Sequence, residues 1–353
     1  MTKDKADIST KEKKEINKRK SNRVVTSMDV AKLAGVSQTS VSRVFNTDSS
    51  REVKQETREK VLAAAKELGY KPNIIARSMI SRKTDIIGLV IGNPVGPFYT
   101  KIITSLTSKI QEQGKQCLIF TVDSEQDIDR LLERVLQYQV DGIIITAAAL
   151  SREMANLCVQ NDTPIVLFNR FVPGLNASSV YCDNIEAGRA VAQYVAERGH
   201  KNIAHITYKK DSSSVLERKF GFYGKLRELG IYNVIEEVAD YTYESGYNAA
   251  LKLLTQESRL DAIFCTSDLM AMGAMDAARF KMGLKIPGDL SIIGFDDIPM
   301  ARWEAYDLTT VNQPVELLVE ETINTLTQLI DNPENGPIVK MLKMELVKRG
   351  STK

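Results

Sequence analysis

From Val25 to Tyr70 the apolar positions fall into three short helical groups. The first opens at Thr26, whose hydroxyl can cap a helix while Asp29 stands three residues on, the spacing of a capping box, and it stops at Gly35. The second starts at Ser37 and gathers Val41, Val44 and Phe45 on one face. The third runs from Val53 to Leu68, with Val61, Leu62, Ala65 and Leu68 as its stripe and Gly69 as its stop. Two short helices joined by a tight turn at Gly35 make a helix-turn-helix pattern.

Beyond Thr84 the rhythm changes. Asp85–Ile91, Gln116–Val122, Gly142–Thr146, Pro164–Asn169, Ile203–Thr207, Ala262–Thr266 and Leu290–Phe295 are apolar almost throughout, and helical stretches separate them. Such runs suit strands covered by helices on both faces, so the alternation predicts doubly wound parallel sheets. About 270 residues exceed one comfortable sheet, which predicts two lobes with a cleft between them. Met341–Val347 reads as one more strand. The expected fold is thus an all-α helix-turn-helix head on an α/β, two-lobed body like a periplasmic binding protein. Its segments are a basic tail over 1–22, the head over 23–71, a linker over 72–84 and the body over 85–353. The tail holds almost no large apolar side chains, so it cannot offset its ordering entropy and is expected to be disordered.

Charge sharpens this division. Up to Lys83 there are 20 Lys/Arg against 10 Asp/Glu, which leaves 27 against 35 of the chain's 47 and 45 for the rest. A basic end on an acidic body points to a polyanion bound at that end alone. The alternative, a solvated charged tail, suits 1–22 well. No apolar run approaches the roughly 18 residues of a spanning helix, and the first twenty residues lack the apolar stretch of a signal peptide. A cytoplasmic protein without membrane attachment is expected. Four cysteines without a CxxC pair and two histidines, His200 and His205, supply no metal cluster, and no GxGxxG or GxxxxGK cradle is present. Neither a metal, a cofactor nor catalysis is expected, and His200 and His205 are given no chemical role.

The stretch from Val25 to Asn46, with Thr57-Arg58 and Leu68-Gly-Tyr-Lys-Pro-Asn73 after it, resembles the DNA-binding module of the LacI/GalR family of transcriptional regulators. Cys182-Asp-Asn184, Gly199-His200, Arg218 with Gly221-Phe222, Ser267-Asp268, Gly294-Phe-Asp-Asp297 and Leu308-Thr-Thr-Val311 recur in the family's order, so the resemblance covers Val25 to Lys353. It implies a repressor that binds pseudo-palindromic double-stranded operator DNA and is controlled by a small effector. No leucine heptads follow Met341–Val347, so a homodimer is expected.

In that family the second head helix enters the major groove. Gln38, Thr39 and Arg43 are spaced to face base edges, with Arg43 as the guanine reader because its fork can bond two acceptors. Thr26, Ser37, Ser42, Asn46 and Tyr70 offer neutral donors to phosphates, which fix register rather than sequence. The alternative gives the Ser and Thr residues only capping duties and leaves Arg43 a surface charge. The segment from Pro72 to Ser81 looks like the family's hinge helix, and by register Met79 is the apolar wedge at the operator centre, where leucine is the commoner family residue.

For the body, the resemblance places effector contacts outside the carboxyl ends of the strands. These are Phe98, Tyr99, Asn169, Arg170, Ser214, Arg218, Tyr241, Asp268 and Asp296. Flat aromatic faces beside planar forks suit a sugar or related polyol; Arg170 also suits a carboxylate or phosphate, so a sugar acid or sugar phosphate is an alternative. Phe98 and Tyr99 read equally well as part of the helix face carrying Ile102, Ile103, Leu106 and Ile110. Arg218 and Asp296 could pair across the lobes when the cleft is empty. Asp183 and Asn184 are expected to shape the crossover between lobes, and Trp303 to report on closure.

Overall fold

The computed structural model describes residues 25–45, 53–71, 83–92, 96–122, 128–146, 151–172, 174–175, 177–208, 213–256 and 259–353. The tail over 1–22, Asn46 and Met79 lie outside the described residues. Backbone contacts divide the chain between Thr84 and Asp85.

The head consists of α1 (Ser27–Ala34), α2 (Gln38–Phe45) and α3 (Gln55–Leu68). The capping box forms: Asp29 N–H donates to Thr26 Oγ1, and Thr26 N–H donates to the Asp29 carboxylate at 2.9 Å. Gly35 closes α1 and Gly69 closes α3, both with φ near +65°, a conformation that penalises any residue with a Cβ. Val30, Ala31, Val41, Val44, Val61, Ala64 and Ala65 form the core. One expected stripe residue is misplaced. Leu62 is 43% exposed, and Ala64 takes the inward position because the helix turns by about 100° per residue.

The body opens with β1 (Ile86–Gly92), α4 (Pro97–Glu112), β2 (Gln116–Val122), α5 (Ile128–Gln137), β3 (Gly142–Ile145), α6 (Arg152–Gln160), β4 (Ile165–Phe168) and β5 (Ser178–Cys182). It continues with α7 (Asn184–Glu197), β6 (Ile203–Tyr208), α8 (Ser213–Glu228), β7 (Val234–Ala239), α9 (Tyr243–Gln256), β8 (Ala262–Cys265), α10 (Asp268–Asp276) and β9 (Ser291–Ile293). It ends with β10 (Thr310–Asn312), α11 (Val315–Asp331), β11 (Val339–Leu342) and β12 (Glu345–Val347). The first lobe is a parallel sheet in the order β11-β5-β4-β3-β1-β2, and the second a parallel sheet β7-β6-β8-β9 beside the antiparallel pair β10-β12. In the first lobe α4 and α11 cover one face and α5 and α6 the other. In the second, α9 and α10 cover one face and α7 and α8 the other.

Three crossings join the lobes: at Asp183, at Gln313-Pro314 and at Lys343-Met344. The single strand expected over Met341–Val347 is therefore two, one in each lobe. β2 departs from the all-apolar expectation as well. It is an edge strand paired only with β1, and Gln116, Ile119 and Thr121 are exposed. β9 stops at Ile293, and Gly294-Phe295 carry the chain out of the sheet to Asp296.

Glycines set how closely the second lobe's helices approach. A Cβ on Gly188 or Gly221 would collide with backbone across the α7/α8 contact, and one on Gly246 or Gly273 across the α9/α10 contact.

Candidate functional site

In the head, Ser37 starts α2. Its hydroxyl accepts from Ser40 N–H at 3.1 Å and meets Ser40 Oγ at 2.9 Å. Gln38 Nε2 donates to Ser27 Oγ at 3.0 Å, tying the start of α2 to the start of α1. Thr39 and Ser42 are exposed and Arg43 is half-buried, on the side of α2 away from the buried Val41 and Val44. The Tyr70 ring stands edge-on to Phe45 with centroids 5.6 Å apart, so it closes the head core. Thr26, Ser37 and Tyr70 thus have architectural duties, while Thr39, Ser42 and Arg43 leave the surface of α2 open to a ligand.

In the body, the residues expected at the cleft come from both lobes. Phe98 packs against the α4/α11 core of the first lobe and also against the α9/α10 core of the second. Phe98 thus belongs to the apolar face of its helix and also reaches the second lobe. Tyr99 is half-buried beside it, ring centroids 5.8 Å apart. Burial raises the Tyr99 hydroxyl above its usual pKa, and it feels the charges of Arg170 on its own lobe and of Asp296 and Arg218 on the other. Tyr241 is raised by burial too, senses Arg218, Tyr99 and Asp296, and stacks on Tyr208 at 4.1 Å. Tyr208 was not anticipated; as the last residue of β6 it stands at the strand's carboxyl end, which was the available signal.

Asn169 follows β4 with φ +55°, and its Nδ2 donates to Gln313 Oε1 at 2.9 Å. Gln313 Nε2 donates to Asp296 Oδ1 at 2.7 Å. Tyr241 and Asp296 also hold positive φ, +57° and +117°. Positive φ at these three non-glycine residues is the kind of strain that collects at binding sites. Arg170 Nη2 donates to Thr146 O at 3.0 Å. Ser214 is half-buried in the first turn of α8.

Arg218 is 4% exposed. Its Nε donates to Asn184 Oδ1 at 2.8 Å and its Nη1 to Thr266 O at 3.1 Å. The expectation that Arg218 and Asp296 pair across the lobes is corrected: both belong to the second lobe, and Arg218 is occupied by Asn184 and Thr266. It still acts on Asp296 through space, since burial raises that carboxyl well above the usual range while Arg218 holds it down.

Asp268 lies deeper than the rest of the expected set. It is fully buried, and its Oδ2 accepts from Ile298 N–H at 2.8 Å while its Oδ1 accepts from the Thr310 hydroxyl. Burial pushes its carboxyl up to about 7. With both oxygens hydrogen-bonded inside the lobe, Asp268 shapes the loop that carries Asp296. Asp297, next in sequence, points into the second lobe. Burial disfavours its charge, but Arg349, Arg302 and Asn312 donate to it and keep its pKa below the usual range.

Asn184 and Asp183 lie at the first crossing as expected. Asp183 caps α7 through Glu186 N–H at 3.0 Å, and Asn184 Nδ2 donates to Cys182 O at 3.0 Å. Gln313 at the second crossing was missed. A polar pair, Asn312-Gln313, between Val311 and Pro314 was the sequence signal. Trp303 is 57% exposed on the second lobe.

Among the described residues no helix is long and apolar enough to cross a membrane. Residues 26–73 match the family of bacterial regulatory proteins, lacI family, and residues 192–352 match a periplasmic binding protein-like domain. The chain is 33% identical over 331 residues to the HTH-type transcriptional regulator CelR of Thermobifida fusca, covering 91% of this chain and 96% of that one. It is 35% identical to the repressor PurR of Erwinia tasmaniensis, covering 87% and 91%. Its fold matches a Lac repressor dimer bound to operator and the anti-inducer ONPF with a TM-score of 0.84, 27% identity and coverage of 94% and 99%. A complex of the regulator CelR with cellobiose matches with a TM-score of 0.69, 32% identity and coverage of 93% and 99%.

Proposed function

Because the chain belongs to the lacI family of bacterial regulatory proteins, we propose that it is an effector-controlled repressor, a homodimer acting in the cytoplasm on pseudo-palindromic operator DNA and carrying out no catalysis. Gln38, Thr39 and Arg43 read bases from α2, and Thr26, Ser37, Ser42, Asn46 and Tyr70 meet phosphates, with Met79 as the minor-groove wedge. Phe98, Tyr99, Asn169, Arg170, Ser214, Arg218, Tyr241 and Asp296 bind the effector. A sugar or polyol fits best, because aromatic faces suit C–H surfaces while Asn169, Arg218 and Asp296 offer remaining polar atoms to hydroxyls.

One observation carries the effector reading. Phe98 of the first lobe packs against the cores of both lobes, with the Tyr99 ring 5.8 Å from it between centroids, so a single small molecule beside them can touch both lobes. An effector then shifts the lobe equilibrium by its difference in affinity for the two arrangements. A thermal-shift series with cellobiose, ribose, other sugars, sugar acids and sugar phosphates tests this, since a ligand of the folded state alone raises the melting temperature. Stabilisation by a sugar, together with a change in retardation of a duplex selected from a random pool, is expected. Selection that yields no preferred duplex overturns the repressor reading, and turnover of a stabilising sugar overturns the non-catalytic one.

A further inference from the structure

Asn169 and Asp296 belong to different lobes, and one side chain bonds both. Gln313 is 2% exposed, sits on the second crossing, and spends its amide oxygen on Asn169 at 2.9 Å and its amide nitrogen on Asp296 at 2.7 Å. Both ends are firmly held. Asn169 N–H donates to Val180 O at 2.7 Å, and Asp296 N–H donates to Val311 O at 2.9 Å. We propose that Gln313 is the positioning residue of the cleft, a buried strut that fixes the spacing of Asn169 and Asp296 and the direction of the hydrogen bonds they offer.

Direction follows from chemistry. Gln313 presents Nε2 to Asp296 Oδ1 and turns Oε1 toward Asn169. Asn169 must then donate through Nδ2, which leaves its Oδ1 facing away; that atom is buried and has no hydrogen-bond partner among the described residues. A buried acceptor left bare is destabilising, and a ligand hydroxyl would satisfy it. The strut stands without any effector; its consequence for the effector, a hydroxyl that donates to Asn169 Oδ1, rests on the effector reading above. Changing the lobe spacing breaks one of two bonds to a buried amide, so the strut also resists intermediate arrangements.

The test exchanges donor and acceptor without changing shape. Gln313→Glu sets a carboxylate against Asp296 and is expected to lower the melting temperature of the full chain at pH 8 by about 3 °C or more. The loss should shrink toward pH 5, where one proton can bridge two carboxyls. Adding Asp296→Asn restores a donor opposite the new acceptor, and most of the loss at pH 8 should return. A double variant whose loss equals the sum of the single losses overturns the proposal. Asn169→Leu and Gln313→Leu test the other end: each should widen the distance distribution seen by small-angle scattering, and the pair should widen it no further than either alone. Additive widening, or none, removes Asn169 from the strut and overturns it. No effector enters these measurements, so failure of the effector reading leaves their outcome unchanged.

Discussion

The guanidinium carbon of Arg218 lies 3.5 Å from the centroid of the Phe295 ring. Stacked there, Arg218 also donates to Asn184 and to Thr266, so one planar group joins α8, the first crossing and the end of β8. A lysine cannot reproduce a stacked fork. Arg218→Lys is expected to cost about 1.5–3 kcal/mol in urea unfolding, and the loss should be far from additive with that of Asn184→Ala, because the two share a bond.

His205 is expected to make stability depend on pH. Its ring is fully buried, stacked on Phe264 at 4.9 Å, with Nδ1 2.9 Å from the Tyr223 hydroxyl, which donates onward to Glu236 at 2.6 Å. Lys219 bonds the other oxygen of Glu236. Since Tyr223 gives its proton to Glu236, His205 donates from Nδ1. Burial depresses its pKa to about 3, against about 6.5 unfolded. The folded pKa is the lower one, so this stability is complete above pH 6.5 and falls by about 1.4 kcal/mol per unit as pH drops below it. His200 shifts the same way through burial. Urea titrations from pH 7.5 to 5 should show the decline, and His205→Phe should flatten most of it; an unchanged slope in that variant would refute the assignment.

Two glycines of α8 make a paired test. A Cβ on Gly221 would strike the Ile185 carbonyl, whereas nothing lies within 4 Å of one on Gly224. Gly221→Ala should destabilise by about 1–3 kcal/mol, and Gly224→Ala should stabilise by about 0.5–1 kcal/mol through the unfolded chain and helix propensity. Calorimetry on both variants checks the opposite signs.

In the head, Arg43→Ala is expected to weaken binding to a selected duplex by about 1–3 kcal/mol and to relax preference at one base pair. Fluorescence anisotropy across a salt series separates the alternatives. A uniform loss over all duplexes, with the salt slope reduced by about 1, would move Arg43 from a base to a phosphate.

Local patterns gave the helices of the head almost residue for residue, because caps such as Thr26 with Asp29 and stops such as Gly35 act over one turn. Strands with continuous apolar runs were equally legible. β5 was not: Ser178 and Ser179 are fully buried, and Ser178 Oγ accepts from Ile338 N–H, a partner 160 residues away that no window reveals. β7 was hidden by Glu236 and Glu237, which an edge strand carries outward to meet Lys219 and Lys252. Among the cleft residues, identity was easier to read than orientation. Asp268 and Asp296 look alike in sequence, and only the positions of Thr310 and Ile298 turn the first one inward.

The three crossings have a consequence for synthesis. The first lobe's sheet gains its outer strand β11 only after the second lobe's strands from β6 to β10 have been made, and β12 then returns to the second lobe. Neither lobe is finished as it leaves the ribosome, and no single cut in the gene separates them. Recombination that swaps one lobe between relatives must therefore exchange at least two stretches of coding sequence, so specificity in this body should diverge by point substitution more readily than by shuffling.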